Sequence, residues 1–166
     1  MRKLLAVLSL VILTASSFAQ SGDAETAAQA FPDWGNFLVG GVWTGTDARG
    51  DTHEQRWEWV LNKSFLQVTW KVTGDAGVSL VGIDPATGTL TWWGFDDKGR
   101  VWRGTTIVDK GGAWVDEGTG QGKGGHNSWK AKLTKLGEDK ARLEIQENIV
   151  DGESFSPEVV ILTRKK

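Results

Sequence analysis

Apolar and polar residues alternate with a period of two through most of this chain, in short runs broken by Gly, Asn, Asp or Pro. That period sends successive side chains to opposite faces of a strand. The pattern predicts strands near residues 41–47, 51–60, 65–73, 77–84, 89–95, 100–108, 112–118, 127–135, 141–148 and 157–164. Most connections hold the residues that tight hairpins need for positive φ. No crossover helix interrupts the series. The prediction is an all-β fold, an up-and-down antiparallel β-barrel of about ten strands, which leaves no free sheet edge. A two-sheet sandwich is the all-β alternative.

The hairpins assign faces. If Asn62 and Lys63 form a turn, Trp59 faces Leu66, Trp57 faces Val68 and Gln55 faces Trp70. Directly paired residues share a face. Gln55, Trp57, Trp59, Leu66, Val68 and Trp70 therefore point inward, while Glu54, Arg56, Glu58 and Lys71 point out, and Trp43 joins the inward set if Arg49 and Gly50 turn the first hairpin with a bulge. Trp129, Ala131, Leu133, Leu143 and Ile145 point inward from the eighth and ninth strands. The middle strands are apolar on both faces. Carrying the register forward puts Leu80, Trp93, Phe95, Val101 and Arg103 inside, and Val81, Ile83, Leu90, Trp92 and Trp102 outside. One slipped turn would swap the two sets. Trp92 lies opposite Gly104 and Trp102 opposite Gly94, so each ring can cover bare backbone. An outer apolar patch marks a contact surface, and a homodimer or partner interface through Trp92 and Trp102 is expected.

Composition narrows the class. The 166 residues suit one domain. Lys and Arg number 19 against 21 acids, which gives no basic footprint for nucleic acid. There is no cysteine, hence no disulfide and no thiolate metal site. Ten Trp without a Tyr is the unusual feature, and each Trp carries a large apolar surface with one N–H donor. Residues 1–19 read as a secretory signal: Arg2 and Lys3, an apolar run too short to span a bilayer, then Ser17, Phe18 and Ala19 before the cut. Losing Arg2 and Lys3 takes 19 cations to 17 against 21 acids, a net charge of −4. The expected product is periplasmic or secreted from a bacterium, with no membrane span after cleavage. Residues 20–36 read as a linker and capping segment, with 31–36 a turn, and 37–166 as the barrel domain.

The stretch FLVGGVWTGT, with Gly41 and Trp43 opening the first strand, resembles the Gly-x-Trp signature of lipocalins and other calycin barrels. It is most similar to exported bacterial lipocalin-like proteins of unknown function. Arg164 matches the lipocalin arginine that stacks on that tryptophan. The resemblance covers residues 31–166. It departs from the lipocalin pattern in lacking the mid-chain Thr-Asp-Tyr motif and in its strand count. Ten strands look more like fatty-acid-binding proteins or haem-binding nitrobindins, which share the opening.

The candidate chemistry follows from the inner face. A small barrel either fills with its own side chains or holds one small ligand. A pocket for a small apolar or amphipathic ligand would be lined by Gln55, Trp57, Trp59, Trp70, Trp93 and Trp129. Arg103 and Glu147 are the polar exceptions, as an internal ion pair or with Arg103 binding a ligand carboxylate. No cofactor and no metal site is expected, although haem bound through His126 is a minor alternative. His53 and His126 read as solvated. Residues 118–125 (GTGQGKGG) imitate a phosphate loop but lack the following helix, so a mobile flap at the mouth is expected. No catalytic triad is legible. A cofactor-free isomerase or cyclase would need an inward acid of raised pKa, for which Glu147, alone or with Asp116, is the candidate. The expected function is ligand binding in the lumen. The alternatives are an interaction protein with a filled barrel and, third, an enzyme.

Overall fold

A computed structural model describes the backbone of residues 21–166 and the side chains from residue 27 onward. The signal segment and its cleavage point lie outside the described residues. The elements are α1 (Ser21–Leu38), β1 (Val42–Thr46), β2 (Thr52–Val60), β3 (Phe65–Val72), β4 (Asp75–Ile83), β5 (Leu90–Asp96), β6 (Val101–Val108), β7 (Trp114–Gly122), β8 (Gly125–Gly137), β9 (Lys140–Val150), β10 (Glu153–Phe155) and β11 (Glu158–Lys165). No helix among the described residues is long and apolar enough to cross a membrane.

Each strand from β1 to β9 pairs antiparallel with the next, and β11 runs between β9 and β1. The sheet thus closes into a barrel of ten strands. β10 is extra, pairing with the last residues of β9 beyond the end of β11. The β2–β3 register is the one the sequence predicts, with Gln55 opposite Trp70, Trp57 opposite Val68 and Trp59 opposite Leu66. Trp43 sits opposite Gln55 on the same inner face and is fully buried.

The middle strands show the opposite faces from those expected. The β3–β4 turn is Thr73-Gly74, with Gly74 at φ 80°, and Leu66 pairs with Val81. This shifts the pairing by an odd number of residues, which turns the side chains of β4, β5 and β6 over. Val81, Leu90, Trp92 and Trp102 therefore face inward, while Leu80, Trp93, Phe95, Val101 and Arg103 face outward. The pairings themselves are as read: Trp92 opposite Gly104 and Trp102 opposite Gly94. The expected interface through Trp92 and Trp102 is thus inside the barrel.

The glycine-rich run is strand and not flap. β7 continues to Gly122 and β8 starts at Gly125, leaving Lys123-Gly124 as the turn. The reason is close packing. A Cβ on Gly118 would lie 2.5 Å from the Trp92 ring, and one on Gly120 would lie 2.8 Å from the Trp102 ring. These glycines make room for the tryptophans of β5 and β6.

Residues 31–36 are helical as well. Ala27, Phe31, Trp34 and Leu38 recur at helical spacing and are all buried, forming one apolar face. Gly35, which reads as a turn signal, lies under Trp59, where an added Cβ would come 2.0 Å from the ring. The helix face closes one end of the barrel. Phe31 packs edge-on to Trp59 at 5.2 Å, and Trp34 and Phe31 meet Trp114 at 5.7 and 6.3 Å. Trp43 Nε1 donates to the Leu38 carbonyl at 2.7 Å. The Arg164 guanidinium lies 4.9 Å from the Trp43 ring and donates to the Phe37 and Val39 carbonyls. It also pairs with Asp139 at 2.7 Å, fastening the helix C-terminus to the last strand.

Candidate functional site

With α1 over one end, the barrel interior opens at the other. A cavity of about 460 Å³ enters there, and Trp57, Trp70, Trp92, Trp102, Trp114 and Trp129 contribute to its walls. Val68, Val81, Ala131, Leu133, Leu143 and Ile145 fill between the rings. The alternation of the strands explains the set, since each of these residues sits on an inward position of its own strand.

The mouth is polar and is held by two ion clusters. In the first, the Arg49 guanidinium donates to Asp47 at 3.0 Å and to Glu158, and lies 3.4 Å from Asp51. Asp47 also caps the β1–β2 turn by accepting from the Arg49 and Asp51 amides. Glu158 is pushed up to about 7, first by burial and then by its hydrogen bond to Asp47. The same bond, with the two amides and Arg49, holds Asp47 well below the usual carboxylate range. His53 is buried here and not solvated as expected, and burial lowers its pKa, so the ring is neutral at physiological pH. In the second cluster the buried Arg100 donates to Asp96 and Asp75, both at 2.6 Å, and Trp102 Nε1 donates to Asp96 at 3.1 Å. This ties one cavity ring to the mouth.

Asp47, His53 and Glu158 each offer one ligand atom, all within 4.8 Å of one another. They could hold a divalent cation by donor type. Arg49, however, already donates to both carboxylates and takes up acceptor sites that a cation would need.

One carboxylate lies far from the mouth. Asp116 is two residues along β7 from Trp114, which touches the helix cap, so it belongs to the closed end. Its Oδ1 accepts from Thr106 Oγ1 at 2.5 Å and Trp114 Nε1 at 2.8 Å. Burial pushes the carboxyl up to about 6 against an ordinary 3.8, the two hydrogen bonds opposing it. The surface Asp116 retains opens onto the cavity.

The sequence-predicted site residues divide into three groups. Gln55, Trp57, Trp70 and Trp129 line the cavity, and Gln55 Oε1 accepts from Trp57 Nε1 at 3.1 Å. Trp59 does not line it and packs instead against Phe31 and Gly35 under the cap. Trp93, Arg103 and Glu147 lie outside the barrel. Arg103 is exposed and lies 3.9 Å from Asp84, so it anchors no ligand in the lumen. Glu147 is expelled by a bulge in β9: Lys130 pairs with Glu147 but Ala131 pairs with Ile145, which leaves Gln146 over. Asn148 takes the inward place opposite Trp129, while Glu147 accepts from Ser128 Oγ on the outside. The expected Arg103–Glu147 pair is therefore absent, and Glu147 cannot serve as an inward acid. His126 is exposed and is not a cavity residue, which removes the ligand on which the haem alternative depended.

Sequence reasoning missed Trp92, Trp102, Trp114 and the mouth clusters. The signal for the first two was in hand, because a ring packed over facing glycines suits a curved barrel interior better than a solvated outer wall.

The closed antiparallel barrel is the class that the fold defines. No family model matches the chain, and no curated protein matches it. A solved structure described as "Structure of EF1p2_mFAP2b bound to DFHBI" is similar to 86% of this chain and 99% of its own, at 14% identity and a TM-score of 0.39. A likeness at that level carries no argument about function.

Proposed function

We propose that this chain is an exported, lipocalin-like barrel that binds a small apolar or amphipathic molecule in its lumen. The observation that carries the reading is the cavity of about 460 Å³, sealed by α1 at one end and open through a polar mouth at the other. Small-molecule sites are concave, mostly apolar and carry a few placed polar groups. The lumen fits that description, with tryptophan walls and the single deep carboxylate of Asp116. Gly41, Trp43 and the stacked Arg164 support the lipocalin-like assignment, and the composition of residues 1–19 supports export.

Calorimetric titration of residues 20–166 with 1-naphthylmethanol, a neutral lipophilic probe, tests the reading. Saturable one-to-one binding is expected. It should weaken by about tenfold in Trp70→Ala, which removes a wall, each tenfold being about 1.4 kcal/mol. It should be unchanged in Trp93→Ala, whose ring is outside. An absence of saturable binding, or equal losses in the two variants, would overturn the proposal.

A further inference from the structure

Building on the lumen as a ligand site, we infer that its occupant is an organic cation, an amine or quaternary ammonium on an apolar body, seated against Asp116 at the closed end. Three observations carry this. The first is geometric. Both protein donors to Asp116, from Thr106 and Trp114, converge on Oδ1, and among the described residues no hydrogen bond reaches Oδ2. Asp116 is half-buried and its remaining surface faces the lumen, so a ligand donor can reach the carboxylate there and add a charge-assisted contact.

The second observation is the surroundings. The Trp92 ring lies over Gly104 and Gly118, one inward position along from Thr106 and Asp116 on the same strands. Trp114 donates to the carboxylate, and Trp129 is paired with Gly118. The walls around the acid are therefore rich in indoles, which give apolar surface to the ligand body and attract a cation wherever it meets a ring face. The third is the charge of the lumen. The carboxylates of Asp51, Asp75, Asp96, Asp116 and Glu158 line it against the guanidiniums of Arg49 and Arg100. Even with Glu158 protonated the balance is negative, and a low-dielectric cleft of one sign concentrates the opposite charge. An anionic ligand has no counter-charge at the deep end, because Arg103 lies outside.

The pH behaviour is specific to this seat. Facing Asp116 are Thr106 from β6, Ala131 from β8 and Trp114 on its own strand, none of which titrates in the accessible range. Asp33, on the helix that caps this end, is exposed. The other ionisable lining groups, with neutral His53, stand at the mouth. Affinity for a cation of high pKa should therefore fall as pH drops below about 6, the range in which Asp116 takes up its proton.

The test compares three probes of one shape by calorimetry at pH 7.5: 1-naphthylmethylammonium, 1-naphthylmethanol and 1-naphthoate. The ammonium is expected to bind at least about tenfold tighter than the alcohol, and the carboxylate weakest, as a desolvated charge-assisted contact requires. Asp116→Asn keeps the oxygen that accepts from Thr106 and Trp114, so the fold is retained. It should erase the preference for the ammonium over the alcohol. If the three probes bind alike, or if Asp116→Asn keeps the preference, the cation inference is overturned while the lumen remains a ligand site. If none of the three binds, both readings fall. The ranking in the unmodified chain decides the matter even if the variant folds poorly.

Discussion

At the scale of the residue, Asp116 weakens the fold that holds it. Its folded pKa of about 6 stands above the ordinary 3.8, so the folded chain holds this proton more tightly than the unfolded chain. Stability from this group is greatest below about pH 4, declines as pH rises toward 6, and the full penalty applies above that. Asp116→Asn should therefore stabilise the protein by about 1–3 kcal/mol at pH 7.5, with no gain at pH 3.5, in urea unfolding at the two pH values. Equal effects at both would contradict the assignment. A destabilising acid kept in a cavity is the signature of a site, because function tolerates costs that packing alone would remove. The acid was in view in the sequence as a candidate inward carboxylate, but its depth was not, since burial depends on which strands bring Trp114 and Thr106 beside it.

At the scale of the element, the glycines of β6 and β7 decide how closely tryptophans can pack. Gly118 and Gly104 lie beneath Trp92, and Gly120 beneath Trp102. Gly118→Ala should cost about 1–3 kcal/mol, because the new methyl meets both the indole and the Arg103 carbonyl. Gly137→Ala, where nothing lies within 4 Å, should change stability by less than about 0.5 kcal/mol. A shifted urea midpoint at constant slope reports each effect. These glycines were legible as exceptions, but a strand glycine and a loop glycine look alike in sequence. The same ambiguity hid the helical state of residues 31–36. Pro32 and Gly35 are turn signals, yet burial of Phe31, Trp34 and Leu38 on the barrel end outweighs them.

At the scale of the molecule, the cavity exists because one end is sealed and the other is not. Trp34 is nearly fully buried between Phe37 and Trp114 at the sealed end. Trp34→Ala should cost about 3–5 kcal/mol by thermal or urea unfolding, as for other large core truncations. An effect under about 1 kcal/mol would mean that α1 does not seal the barrel. The mouth is built differently, from ion clusters around Arg49 and Arg100 that hold the hairpins without filling the lumen.

The sequence by itself determined the all-β class, the antiparallel meander, the β2–β3 register and the inner faces of β1, β2, β3 and β8, because alternation and hairpin turns are local and each pairing checks its neighbour. The tertiary structure alone decided the rest. The middle strands are apolar on both faces, so nothing local distinguished inside from outside, and an odd shift at Thr73-Gly74 inverted them. The bulge at Gln146 did the same to Glu147. Both corrections act on the site, moving Arg103 and Glu147 out and bringing Trp92, Trp102 and Asp116 into one lumen. Closure of a barrel joins strands that are distant in sequence, and the charge facing its interior is fixed only when the last strand pairs with the first.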